Sequence, residues 1–165
     1  MGWRRDDFVT SDTGERIDRD AAVHFLDDSY RAARIPRDLV ERSINHSLPF
    51  GIYHAGPNGA ERQVGFARVT SDCATFACVD DVFVAPEFRG QGLATWLLET
   101  IGAHQDLQGL RNWILLTRDV HALYEKAGFA VSERPTAIME RHSGVSSGVA
   151  AVAALEKRNS LDQNR

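Results

Sequence analysis

The stretch from Phe76 to Leu98 constrains the fold more than any other part of this chain. Nine residues with extended character, F-A-C-V-D-D-V-F-V, run through A-P-E-F-R-G-Q-G into L-A-T-W-L-L, which has helical spacing. A strand that passes through a glycine turn straight into a helix excludes all-helical and all-β architectures and requires a sheet with helices packed on it. Along the strand, even positions (Phe76, Cys78, Val82, Val84) and odd positions (Ala77, Val79, Phe83) are both mainly apolar, which predicts burial on both faces. Two adjacent carboxylates, Asp80 and Asp81, break that pattern. The pleat sends neighbours to opposite faces unless a bulge intervenes, and an unpaired buried carboxylate is costly, so at least one must reach a cleft or a partner.

Elements on either side extend the same plan. Ala22, Phe25, Leu26, Tyr30 and Ala33 recur at spacings of three and four after Asp18, which predicts a first helix. Pro36 sits where a second would begin, with Leu39, Val40 and Ile44 inward. Phe50–His54 and Val64–Thr70 read as strands separated by the turn Gly56-Pro57-Asn58-Gly59. Only a short turn at Ser71-Asp72 separates Val64–Thr70 from the strand starting at Phe76, which predicts an antiparallel hairpin. Trp113–Thr117 reads as a further strand. A helix from Val120 to Ala127 would take Asp119 as N-cap and Gly128 as C-cap. Phe129–Ser132 and Thr136–Arg141 read as two final strands. Residues 143–148 form a linker, and Val149–Arg158 is a candidate amphipathic helix in a tail over 143–165, which leaves 1–142 as one domain.

Composition removes several function classes. The chain has 165 residues, 43% hydrophobic and 25% charged, which suits one globular domain and excludes disordered and collagen-like classes. No apolar run approaches the ~20 residues of a membrane span, and no secretory signal follows MGWRRDDFV, so the expected compartment is the cytoplasm. Net charge is −4, and the first 28 residues carry eight acids against four arginines. With no basic face evident, nucleic acid is not an expected partner. The acidic segment reads as a solvated face that would also attract a cationic substrate. Cys73 and Cys78 lack a second pair and a nearby histidine, so they read as buried thiols, and no metal site is expected. The six histidines fit no ligand spacing, and Arg4-Arg5 read as solvated or as contacts to an anionic group.

The glycine turn is suited to an anion. Free amides converge at a helix N-terminus, the dipole adds partial positive charge, and Gly90 and Gly92 allow close backbone approach. The Walker pattern fails for want of Gly-Lys-Ser/Thr, and the dinucleotide pattern fails with Thr95 at its third glycine position. The pattern R-x-x-G-x-A fits, as Arg89, Gly92 and Ala94.

The run V-F-V-A-P-E-F-R-G-Q-G-L-A-T-W-L-L (Val82–Leu98) resembles the acetyl-CoA-binding segment of the GNAT superfamily of N-acetyltransferases. L-Y-E-K-A-G-F (Leu123–Phe129) resembles that family's second signature. The resemblance covers about residues 8–141 and implies an α/β (α+β) GNAT fold, with a mixed, mostly antiparallel sheet of six or seven strands flanked by helices. It implies acetyl-CoA as co-substrate. The pyrophosphate would lie on Arg89, Gly90, Gln91, Gly92, Leu93 and Ala94, and the pantetheine arm along Val82, Phe83 and Val84. The thioester would lie between the strands Phe76–Val84 and Trp113–Thr117, and Tyr124 would be the general acid that protonates the leaving thiolate. Thr117-Arg118-Asp119 departs from the asparagine that many members carry before the second helix.

Acetyl transfer to an amine sets a further demand. An alkyl ammonium with pKa ~10.4 lies about 3.4 pK units above neutral, so freeing its lone pair costs roughly 4.6 kcal/mol. Asp80 or Asp81 could take that proton or bind the substrate. The expected acceptor is a small cationic amine. A protein N-terminal or lysine amine is the alternative acceptor, and a non-catalytic acyl-CoA-binding sensor is an alternative of another class. A homodimer is compatible with either.

Overall fold

Short turns and strand alternation build a six-stranded sheet, ordered β1-β2-β3-β4-β5-β6, in a computed structural model that describes residues 2–27, 35–56, 59–139 and 141. The strands are β1 (Gly2–Arg5), β2 (Phe8–Ser11), β3 (Leu48–Ala55), β4 (Glu61–Ser71), β5 (Phe76–Val84) and β6 (Asn112–Leu115). Neighbours pair antiparallel except β5 and β6, which are parallel. The sheet is thus mixed and mostly antiparallel, as the sequence implied. Its parallel pair is joined through a helix, because parallel strands need a long crossover.

The helices are α1 (Arg19–Asp27), α2 (Arg37–Asn45), α3 (Leu93–Gly102) and α4 (His121–Lys126). The Asp18 carboxylate accepts from the Ala21 amide at 3.0 Å and caps α1, which buries Ala22, Phe25 and Leu26. Tyr30 and Ala33 of the expected stripe lie outside the described residues. Val40 and Ile44 bury one side of α2, and Leu93, Leu97, Leu98 and Ile101 bury one side of α3. They meet Phe50, Ile52, Val64, Phe66 and Val69, all fully buried. Each such side chain contributes about 1.5–3 kcal/mol of transfer free energy, so this layer carries much of the fold's stability. At the C-terminal end of α3, the Asp106 amide donates to His104 Nδ1 at 3.2 Å. The ring proton therefore sits on Nε2 and donates to Asp12 at 3.0 Å, which ties α3 to the end of β2.

Several expectations fail. Neither Phe129–Ser132 nor Thr136–Arg141 forms a strand among the described residues. Phe129 is held by its ring, edge-on to Trp113 and Tyr124, and Pro135, which has no amide to give a ladder, starts a 3-10 turn. Asp119 does not cap α4, whose N-cap is Val120 without a side-chain bond. The thiols are not buried either. Cys73 is exposed in a left-handed turn (φ 55°), and Cys78 is half-buried. The hairpin of β1 and β2 was not anticipated, because its acids and arginines hide the strand alternation. The candidate helix at Val149–Arg158 lies outside the described residues.

Candidate active site

The site lies where the parallel pair parts. The β5–β6 register runs from Phe76↔Asn112 to Val79↔Leu115 and stops there. β5 continues alone on that side to Val84, and the chain after β6 turns away towards α4. The gap is a cavity of about 110 Å³ lined by Phe25 and Leu26 of α1, Val79, Asp81, Val82 and Phe83 of β5, residues 116–117 and 119–120, and Tyr124 of α4. Phe25 stacks on Phe83 with ring centroids 4.3 Å apart, which fixes α1 as one wall. A larger cavity of about 410 Å³ opens between α3 and the segment after α4. It is lined by residues such as Leu98, Ile101, Trp113 and Phe129, and no titratable side chain lines it.

The two aspartates owe their arrangement to a bulge. Phe66 pairs Phe83 and Arg68 pairs Asp80, so Asp81 and Val82 together face Ala67, and Asp81 is left-handed (φ 57°). The pleat's alternation is broken there, and both carboxylates converge on Arg68 of β4. Arg68 Nε donates to Asp81 Oδ2, and Nη1 lies 3.8 Å from Asp80 Oδ2. All three side chains are less than one-fifth exposed. Asp81 lines the cavity and Asp80 does not. The sequence reading missed Arg68, although counting back from the Ser71-Asp72 turn places it opposite Asp80, where an opposite charge is favoured.

Residues of the glycine turn stand together at the far end of β5. A 3-10 turn at Pro86–Phe88 leads to Arg89, Gly90, Gln91 and Gly92, and α3 starts at Leu93 with no side-chain cap. The first amide of α3 recorded with an acceptor is that of Trp96, which donates to the Gly92 carbonyl at 3.0 Å. The Leu93, Ala94 and Thr95 amides are therefore left for an anion. Gly90 (φ +77°) and Gly92 (φ +74°) are left-handed, and a Cβ on Gly90 would meet nothing within 4 Å, so the turn is open to a phosphate. The Arg89 side chain folds back on β5. Its Nε donates to the Val84 carbonyl at 2.9 Å, and its guanidinium lies 5.4 Å over the Phe83 ring. One of the backbone groups expected to meet a pantetheine arm is thereby already engaged.

Tyr124 sits on α4, half-buried, its ring 6.2 Å from Phe129 and edge-on to it. Phe129 and Ala127 amides donate to its carbonyl at 3.1 and 2.9 Å, closing the helix end so that the ring faces the cavity with Asp81, Val82 and Phe83. Carboxylate, phenol and strand edge thus border one gap, and the anion-receptive turn continues from the same strand. Among the described residues no group of three or more His, Cys, Asp or Glu side chains could hold a metal ion, and no helix is long and apolar enough to cross a membrane.

Known proteins share this plan. An acetyltransferase (GNAT) domain model matches residues 50–131. A candidate acetyltransferase of Gibberella zeae is 30% identical over 144 residues, which cover 76% of this chain and 80% of that protein. A crystal structure of a candidate GNAT-family acetyltransferase from Xanthomonas campestris pv. campestris is 44% identical, with TM-score 0.75, over 82% of this chain and 93% of that one. A candidate acetyltransferase from Clostridium acetobutylicum, solved with acetyl-CoA, shares the fold at 14% identity and TM-score 0.59, over 82% of this chain and 94% of that one. A strand–glycine turn–helix that opens beside a splayed parallel pair, with relatives of this length and identity, places the chain in the GNAT family of acetyltransferases.

Proposed function

We propose that this protein transfers the acetyl group of acetyl-CoA to the primary amine of a small cationic molecule. The observation that carries the reading is the splay after Val79 and Leu115, which sets Asp81 and Tyr124 on one cavity, with the uncapped start of α3 following at the end of the same strand. Acetyl-CoA would bring an activated thioester. Its pyrophosphate would lie on the amides from Gly90 to Ala94, and its pantetheine arm along Val82–Val84, where β5 has no β6 partner. Such an arrangement delivers the thioester to the gap and excludes water from one side of it.

Asp81 is the better placed of the two carboxylates. Its Oδ2 is engaged by Arg68, and Oδ1 is left to take the ammonium proton, directly or through one water. Asp80 acts on Arg68 and holds the pair in place. The freed amine attacks the thioester carbonyl, a C–N bond forms as the C–S bond breaks, Tyr124 gives its phenolic proton to the departing thiolate, and the second proton shed by the new amide nitrogen returns through water to the Tyr124 oxygen. Asp81 and Asp119 on the cavity wall, with the acidic α1 nearby, favour a cationic acceptor. Of the alternatives, a protein amine would use the same chemistry, and a sensor would bind acetyl-CoA without turnover.

Free thiol released from acetyl-CoA, measured against polyamines, amino sugars, amino acids and peptide N-termini, tests the reading. Release that depends on a small cationic amine is the expected result. Binding of acetyl-CoA with no release across the panel would overturn it.

A further inference from the structure

Arg89, the arginine inside the glycine turn, is turned back on β5, yet a different guanidinium stands at the turn. Both terminal nitrogens of Arg5 lie 3.7 Å from the position a Cβ on Gly92 would take. Arg5 ends β1, and the β1–β2 pairing sets it opposite Phe8. Phe8 packs edge-on to Phe88 with ring centroids 6.0 Å apart, and His54 lies 4.9 Å from Phe8 and 5.1 Å from Phe88. Phe88 directly precedes Arg89, so this aromatic cluster clamps the end of the N-terminal hairpin against the glycine turn. Two other arginines near the turn have partners. Arg62 pairs with Glu87 at 2.6 Å, and Arg89 bonds the Val84 carbonyl. Among the described residues the Arg5 side chain makes no ion pair or hydrogen bond.

We propose that Arg5 completes the phosphate cradle and binds the pyrophosphate of the acetyl-CoA that the glycine turn receives. The inference rests on the acetyl-CoA reading above. The turn supplies amides and a dipole, and the Nε of its own arginine, Arg89, is committed to β5. A pyrophosphate carries at least two negative charges, and a planar guanidinium can hold two of its oxygens at once. Arg5 is positioned by the hairpin rather than by the motif, so it is separated from Gly92 by most of the sheet's sequence and shows no local signature.

The test is calorimetric binding of CoA and of dephospho-CoA to the wild type and to Arg5→Gln, Arg5→Lys and Arg4→Gln. Dephospho-CoA keeps the pyrophosphate and lacks the 3′-phosphate. Arg5→Gln is expected to weaken both ligands alike, by roughly 10- to 100-fold, with Arg5→Lys in between. Arg4→Gln, which removes the same charge from the next residue, is expected to leave both affinities near wild type. Unchanged affinity in Arg5→Gln would overturn the proposal. So would a loss confined to CoA, which would move the contact to the 3′-phosphate, or an equal loss in Arg4→Gln, which would make the effect one of diffuse charge. In each of those outcomes the wild type still binds CoA and the acetyl-CoA reading survives. A wild type that binds neither ligand would overturn both.

Discussion

Replacing Arg68 by methionine isolates the charge cluster at the bulge, because the thioether fills the volume of the arginine stem and removes only the cation. Asp80 and Asp81 are 18% and 17% exposed, so without Arg68 two adjacent carboxylates remain largely desolvated. At the 3.8 Å separation of Arg68 and Asp80, an effective dielectric of about 20 gives roughly 4 kcal/mol of attraction. Removing one partner of a buried pair typically costs about 3–5 kcal/mol, and the partial exposure here brings the expected loss to about 2–4 kcal/mol at neutral pH. Adding Asp80→Asn to Arg68→Met should restore part of the loss at pH 7. Urea unfolding of the two variants and the wild type at pH 7.5 measures all of this. A loss under about 1 kcal/mol, or no recovery on adding Asp80→Asn, would refute the account of the cluster as a compensated buried charge.

Two further predictions concern other residues. Tyr124→Phe should lower kcat by about 10²- to 10⁴-fold while leaving the dissociation constant for CoA unchanged, as read by thiol release and calorimetry. Asp72 accepts from the Thr75 hydroxyl and from the Thr75, Ala74 and Phe76 amides, and these hold its carboxyl well below the usual carboxylate range. A depressed value contributes stability that is present above the ordinary carboxylate pKa and fades as acid protonates the folded form. The Tm gap between wild type and Asp72→Ala should therefore be full at pH 7 and shrink below about pH 4. A gap that widens in acid would contradict it.

What the sequence made legible was local. The run β5–turn–α3 and the β4–β5 hairpin follow from alternation, helical spacing and nearby turn residues; β5 spans the residues read for it, and β4 begins three residues earlier than its alternation suggested. Pairings that depend on distant partners were hidden. Phe129–Ser132 has the composition of a strand, but composition does not supply a ladder, and among the described residues it pairs with none of the six strands. β1 and β2 look polar, and they are strands because β3 supplies the ladder. At the site, the adjacent aspartates signalled a bulge or a cleft, and the structure has both. Arg68 was within reach of a register count. Arg5 was not, since only the aromatic clamp around Phe88 brings it to Gly92.

The early end of the β5–β6 ladder bears on how firmly the protein is held without its co-substrate. From Asp80 to Val84 the β6 side of β5 has no strand partner among the described residues, and of that edge the Val84 carbonyl is taken by Arg89 Nε. A pantetheine arm laid along that edge would act as a missing strand, joining β5 to the chain that leads to α4. Saturation with CoA at a hundred times its dissociation constant would add about 2.7 kcal/mol to the folded state. That protection should concentrate in the amide exchange of β5 and α4 and leave β3 and β4 at the rates they already have.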